Sequence, residues 1–122
     1  EKDLGALVIP NFAIGAVLMM TMAQEAAKHM DRVEIIEYHH DKKADSPSGT
    51  AIKSADMIHI ANPRINDTPL DETELIEGSR GGSKHNIPIH AIRTPGFVAN
   101  QDIIFGGLGQ TLTISHKTTF IF

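Results

Sequence analysis

Val33-Glu34-Ile35-Ile36-Glu37-Tyr38-His39-His40-Asp41-Lys42-Lys43-Ala44-Asp45-Ser46-Pro47-Ser48-Gly49-Thr50-Ala51 is the stretch whose reading decides the fold. It opens on a run rich in β-branched residues, which predicts a strand from Val33 to His39. Val33, Ile35 and Glu37 then share one face, and Glu34, Ile36 and Tyr38 the other. His39 and His40 point opposite ways if the strand continues that far. A charged turn bounded by Pro47 follows, and Ser48-Gly49-Thr50 has the residue types of a helix start. The helix is expected from Ser48 to Asn62, with Ala51, Ile52, Ala55 and Ile58 buried and Ile60 a further candidate. Asn62-Pro63 ends it.

Upstream, Leu4 to Ile9 is expected to be a short apolar strand ending at Pro10, and Asn11 is a candidate N-cap. Phe12 to Met30 is dominated by helix formers. Ile14, Val17, Leu18, Met22, Ala26 and Met30 keep helical spacing and are its expected buried set, with Lys28 and His29 in the last turn. Downstream, residues 63–86 read as a long excursion, mobile in part, with an acidic cluster and the loop Gly78-Ser79-Arg80-Gly81-Gly82-Ser83. The period then changes to two. Strands are expected at Ile87–Thr94, Val98–Phe105 and Gln110–Thr119, with turns at Pro95-Gly96 and at Gly106-Gly107-Leu108-Gly109. The order of elements gives an α+β fold, helices on one face of a mainly antiparallel or mixed sheet, with the last three strands as an antiparallel meander.

Composition narrows the partners. A formal charge of −4, with no basic stripe and no interleaved aromatics, argues against a nucleic-acid binder. The longest apolar run, Phe12 to Ala23, is shorter than the roughly 20 residues a membrane helix needs. The absence of cysteine removes disulfides and thiolate metal sites and suits a cytoplasmic location. The 122 residues fit a single domain whose modest core would gain from association with other subunits.

Three features carry chemistry. His39 brings a group that exchanges protons near neutral pH, and Lys43 brings a cation able to bind or protonate an anion. The plainer reading is a strand-end histidine beside a solvated charged turn. Gly49 and Thr50 offer free amides at the positive end of a helix, where a carboxylate or phosphate can sit; the plainer reading is an N-cap. Arg93 lies within a strand, where it can pair with an acid or face a site. A metal on His39, His40, Asp41 and Asp45 is disfavoured, because adjacent histidines on a strand diverge and no further ligand follows at a known spacing. The late glycines precede a strand instead of a helix, so they form a turn and not a dinucleotide fingerprint. Arg80-Gly81-Gly82 reads as a flexible linker or a mobile anion-closing loop.

At these residues the sequence resembles a known family. His39-His40-x-x-Lys43-x-Asp45-x-Pro47-Ser48-Gly49-Thr50-Ala51 is similar to the signature of dihydrodipicolinate reductases (4-hydroxy-tetrahydrodipicolinate reductases) of lysine and diaminopimelate synthesis. Pro10-Asn11-Phe12-Ala13-Ile14-Gly15 resembles the segment that joins the two domains of the family, and Phe105 to Leu112 resembles a late hairpin. The resemblance implies an NADPH- or NADH-dependent reductase of a cyclic dicarboxylate imine. It implies His39 as the acid/base residue, Lys43 as proton donor, His40 as a substrate contact and Gly49 and Thr50 as a carboxylate site. It implies that Ile9, Pro10, Asn11 and Phe12 touch the cofactor, and that the sheets of this domain build a homotetramer. Residues 1–122 do not themselves hold the family's nucleotide-binding glycine fingerprint. Residues 1–122 are therefore expected to be one substrate-binding and tetramerisation domain, with 1–11 a remnant of the interdomain segment. Such a chain is expected to turn over little or not at all alone; a non-catalytic dicarboxylate-binding or assembly module is the competing expectation.

Overall fold

The computed structural model describes residues 13–119. In chain order these form α1 (Ile14–Ala27), β1 (Arg32–His39), α2 (Gly49–Ala61), β2 (Gly82–Lys84), β3 (Ile87–Arg93), β4 (Ala99–Gly107) and β5 (Gln110–Thr118). The strands make one mixed sheet in the order β2-β3-β1-β4-β5. The fold class is α+β, as the pattern of elements implies.

The meander is corrected by the pairing. β3 and β4 are not neighbours, because β1 lies between them, parallel to β3 and antiparallel to β4. The only hairpin among the last three strands is β4–β5, closed by Leu108-Gly109 between the paired Gly107 and Gln110. Gly109 has φ +73°, which glycine adopts without steric cost. The parallel β1–β3 pair follows from the chain between them, since parallel neighbours need a long crossover and α2 supplies it. The excursion over 63–86 also contains an element that composition did not reveal, the short β2 paired to β3.

Alternation places the core. Val33 and Ile35 of β1, Ile87 and Ile89 of β3, and Ile103 and Phe105 of β4 are buried on the face that receives the helices. The helices meet each other through small residues: Ala23 and Ala27 of α1 and Ala51 and Ala55 of α2 are fully buried. The helix stop at Asn62 has a second task, for its Nδ2 donates to the Ala27 carbonyl at 2.8 Å and satisfies an end group of α1. Asn66 stands in for a strand partner at Val33, accepting from its N–H and donating to its carbonyl, both at 2.9 Å.

The first helix corrects the expectation in two ways. It is shorter, beginning after the uncapped Ala13, and Lys28 and His29 lie beyond its end, paired with Glu25. Its buried residues are Ala16, Met19, Met20, Ala23 and Ala27, while Ile14, Leu18 and Met22 are exposed. In α2, Ala51, Ala55 and Ile58 are buried as expected, Ser54 joins them, and Ile60 is exposed. Both helices begin at the same end of the sheet. The amide of Ser48 reaches Glu37 in β1, and Gly15 lies so close to His116 of β5 that an added Cβ would stand 2.6 Å from the ring.

Candidate functional site

The site forms where β1 ends and α2 begins. Cross-strand register brings Arg93 of β3 beside His39 of β1, and Ala91, Glu37, Gln101 and His116 into the next row across the sheet. Glu37 is therefore an acid on the core-facing side of a strand, and it is fully buried.

Four hydrogen bonds satisfy its carboxylate. Oε1 accepts from His39 Nδ1 at 2.8 Å and from Arg93 Nη1 at 2.6 Å. Oε2 accepts from Arg93 Nη2 at 3.0 Å and from the backbone amide of Ser48 at 2.7 Å. Burial pushes the Glu37 carboxyl up, but the Arg93 guanidinium, the His39 ring and the Ser48 amide outweigh it and hold it below the usual glutamate range. The same contact with Glu37 raises the guanidinium of Arg93. Arg93 also donates to the carbonyl of Asp45 at 3.0 Å, so β3 pins the turn ahead of α2.

Lys43 sits in that turn, its Nζ donating to Asp45 Oδ1 at 2.9 Å. The ammonium holds the exposed Asp45 carboxyl below its usual value. Ser48 caps α2, its Oγ accepting from the amide of Ala51 at 3.2 Å. That leaves the amides of Gly49 and Thr50 without an acceptor among the described residues. Space around Gly49 is open, with no atom within 4 Å of where a Cβ would stand, so the glycine is not required by packing. The first turn is tied inward by Ser54, which donates to the Thr50 carbonyl at 2.7 Å and accepts from Gln101 Nε2 at 2.8 Å.

His39, Lys43, Gly49 and Thr50 thus belong to one connected cluster, joined through Glu37, Arg93, Asp45 and Ser48. His40 does not join it: its Nδ1 lies 2.9 Å from Asp41 Oδ1 on the exposed side. Among the described residues, no three histidine, aspartate or glutamate side chains gather as a metal site. Ile9, Pro10, Asn11 and Phe12 lie outside the described residues. Arg80 is not a free anion-closing group, for it clasps Glu34 through both terminal nitrogens and reaches Glu72 through Nε. Two members of the cluster went unassigned in the sequence. Glu37 could have been found there, because an acid in phase with Val33 and Ile35 is an acid aimed at the core. Arg93 was visible only as a charge with two possible fates.

The unpartnered amides at the start of α2, the His39 imidazole and the Lys43 ammonium are thus linked through Glu37, Arg93 and Asp45 at the end of β1. A family profile described as dihydrodipicolinate reductase, C-terminus, matches residues 15–120. A 4-hydroxy-tetrahydrodipicolinate reductase of Geobacillus kaustophilus (strain HTA426) is 55% identical over 118 residues, which are 97% of this chain and 44% of the relative. The enzyme of the same name from Listeria innocua serovar 6a is 56% identical over 118 residues, again 97% of this chain, and 45% of the relative. A solved structure of dipicolinate-bound dihydrodipicolinate reductase from Paenisporosarcina sp. TG-14 superposes with a TM-score of 0.84 at 53% identity, covering 89% of this chain and 41% of that one. The chain thus spans somewhat under half the length of the relatives it matches. With the profile covering nearly all of the described fold, the chain belongs to the dihydrodipicolinate reductase family, as its C-terminal domain.

Proposed function

We propose that this domain binds the cyclic dicarboxylate of a 4-hydroxy-tetrahydrodipicolinate reductase and serves its acid/base chemistry, within lysine and diaminopimelate synthesis. One observation carries the reading: the imidazole of His39 and the open amide end of α2 are fastened to opposite oxygens of the same buried carboxylate. A dianion needs donors on two sides, and Gly49 and Thr50 supply one while Lys43, exchanging Asp45 for the substrate, supplies the other. With Nδ1 committed to Glu37, His39 keeps Nε2 for the substrate. The resemblance also assigns His40 to the substrate, which it would reach only by leaving Asp41. The dipicolinate named for the related Paenisporosarcina structure is a planar dicarboxylate of the same class.

The reduction draws its hydride from NADPH or NADH, and the resemblance assigns Ile9, Pro10, Asn11 and Phe12 to that contact. The described residues contribute binding, orientation and the proton. In this reading residues 1–122 act as one substrate-binding and assembly domain of a cytoplasmic reductase. Among the described residues, no helix is long and apolar enough to cross a membrane. The sheet face away from the helices is the assembly surface, with Ile36, Ile92, Ile104 and Leu70 around a groove of 590 Å³.

The test is calorimetry with pyridine-2,6-dicarboxylate on the 122-residue chain. Binding heat is expected, and Lys43→Ala should weaken affinity about tenfold or more, the worth of a charge-assisted contact. A titration without heat, or an affinity indifferent to Lys43→Ala, removes the reading. A parallel assay of NADPH oxidation separates a reductase domain acting with its partner domain from a pure binding module.

A further inference from the structure

Glu37 spends its four acceptor positions on three groups: a guanidinium, an imidazole and the amide that precedes the first turn of α2. Arg93 alone would neutralise it. A buried ion pair is no simple stabiliser, because desolvation offsets its attraction and an apolar pair of similar size often serves as well. An apolar pair could not, however, dictate where the imidazole proton resides.

We infer that Glu37, with Arg93 as its counter-ion, is a positioning residue that holds His39 in its Nδ1–H form and fixes the amide end of α2 opposite the free Nε2. The inference rests on the dicarboxylate reading for its purpose, though not for its geometry. An ionised carboxylate can only accept, so the ring must bring its proton to Nδ1, leaving the Nε2 lone pair outward. The second oxygen takes the Ser48 amide, so imidazole and helix start cannot shift independently. Of the other charged groups around the turn, Lys43 is paired with Asp45 and His40 with Asp41.

Glu37→Gln reads this out. If the new amide NH2 occupied the Oε2 position, it would oppose two donors, Arg93 Nη2 and the Ser48 N–H, neither of which can become an acceptor. At the Oε1 position it opposes Arg93 Nη1 and His39, and the ring can change tautomer to accept it. The variant should therefore convert His39 to the Nε2–H form.

The experiment is nitrogen-15 NMR of the histidine rings at about pH 8, where an ordinary imidazole is neutral, with His39 assigned by its loss in His39→Asn. The unaltered chain should show Nδ1 protonated and Nε2 bare. Glu37→Gln should reverse this and weaken pyridine-2,6-dicarboxylate binding about ten- to a hundredfold, and Glu37→Asp should keep the original tautomer. An Nε2–H ring in the unaltered chain overturns the inference. So does a Glu37→Gln variant with tautomer and affinity unchanged. If Glu37→Gln does not fold, the tautomer of the unaltered chain decides. Should the unaltered chain bind no dicarboxylate, the proposed substrate falls while the tautomer still judges Glu37; should only Lys43→Ala weaken binding, the substrate stands and Glu37 is merely structural.

Discussion

At the scale of single residues, the pair Glu37–Arg93 governs both stability and its dependence on pH. Glu37 is wholly enclosed, so removing its counter-ion leaves a carboxylate with no compensating charge. Arg93→Ala should cost about 3–5 kcal/mol, the range for breaking a buried pair from one side. Urea unfolding at neutral pH measures it. The acid side gives the sign independently. The folded state holds the Glu37 carboxyl below 4.5, its ordinary value, so the unfolded chain takes up the proton first. That contribution is whole above the unfolded value and is lost as pH falls through the folded one. Midpoints measured from neutral pH downward should therefore fall more steeply for the unaltered chain than for Glu37→Gln. Equal slopes would mean that the ion pair does not link folding to protons. Some of this was legible beforehand. An acid in phase with Val33 and Ile35 marks an inward charge, and an inward charge demands a partner. Which arginine answers it was not legible, because strand neighbours are fixed by topology and not by proximity in sequence.

At the scale of elements, legibility tracks how one-sided each segment is. β1 alternates cleanly, and of the two faces the sequence separates, the one shared by Val33, Ile35 and Glu37 is buried. α2 has a capping serine, a proline-bounded approach and a stop, and its observed span of Gly49–Ala61 lies within one residue of expectation at each end. α1 is apolar around most of its circumference in the first half, so spacing alone offers several faces. Packing chose the one rich in alanine, where two helices approach closely, and left Ile14, Leu18 and Met22 outside. The cap of α2 yields a prediction at this scale. Ser48→Ala removes the only side-chain acceptor that the described residues give the first turn, while sparing the backbone amide that holds Glu37. It should cost about 1 kcal/mol, within the known range for a lost N-cap. Unfolding midpoints give the energy, and hydrogen exchange should quicken at Ala51 and leave the amide of Ser48 nearly as slow as before. Fast exchange at both would show that the cap and the Glu37 contact form a single unit.

At the scale of the whole molecule, the insertion of β1 between β3 and β4 gives the sheet its central strand and its two unlike faces. One face carries the helices and, at its polar end, the Glu37 cluster. The other shows Ile36, Ile92 and Ile104, half-buried along a groove, with Glu34, His90 and Arg80 hydrogen-bonded at its margin. A sheet whose helices lie on one side leaves the other for solvent or for a second surface, and clustered isoleucines are poorly suited to solvent. The proposed assembly through this face makes a definite prediction. Ile104→Glu places a charge in the middle of the groove, remote from His39, Lys43 and the start of α2. It sits opposite Glu34 in the β1–β4 register, so a second negative charge is set against the first across strands. Light scattering coupled to size exclusion should report an oligomer for the unaltered chain and a smaller species for Ile104→Glu. The calorimetric affinity for pyridine-2,6-dicarboxylate should change little if each subunit holds a complete anion site. A chain already monomeric at tens of micromolar, or a variant with unchanged mass, would place the contact elsewhere. Loss of dicarboxylate binding together with the oligomer would instead mean that the cluster at the end of β1 is held in shape by a neighbouring subunit.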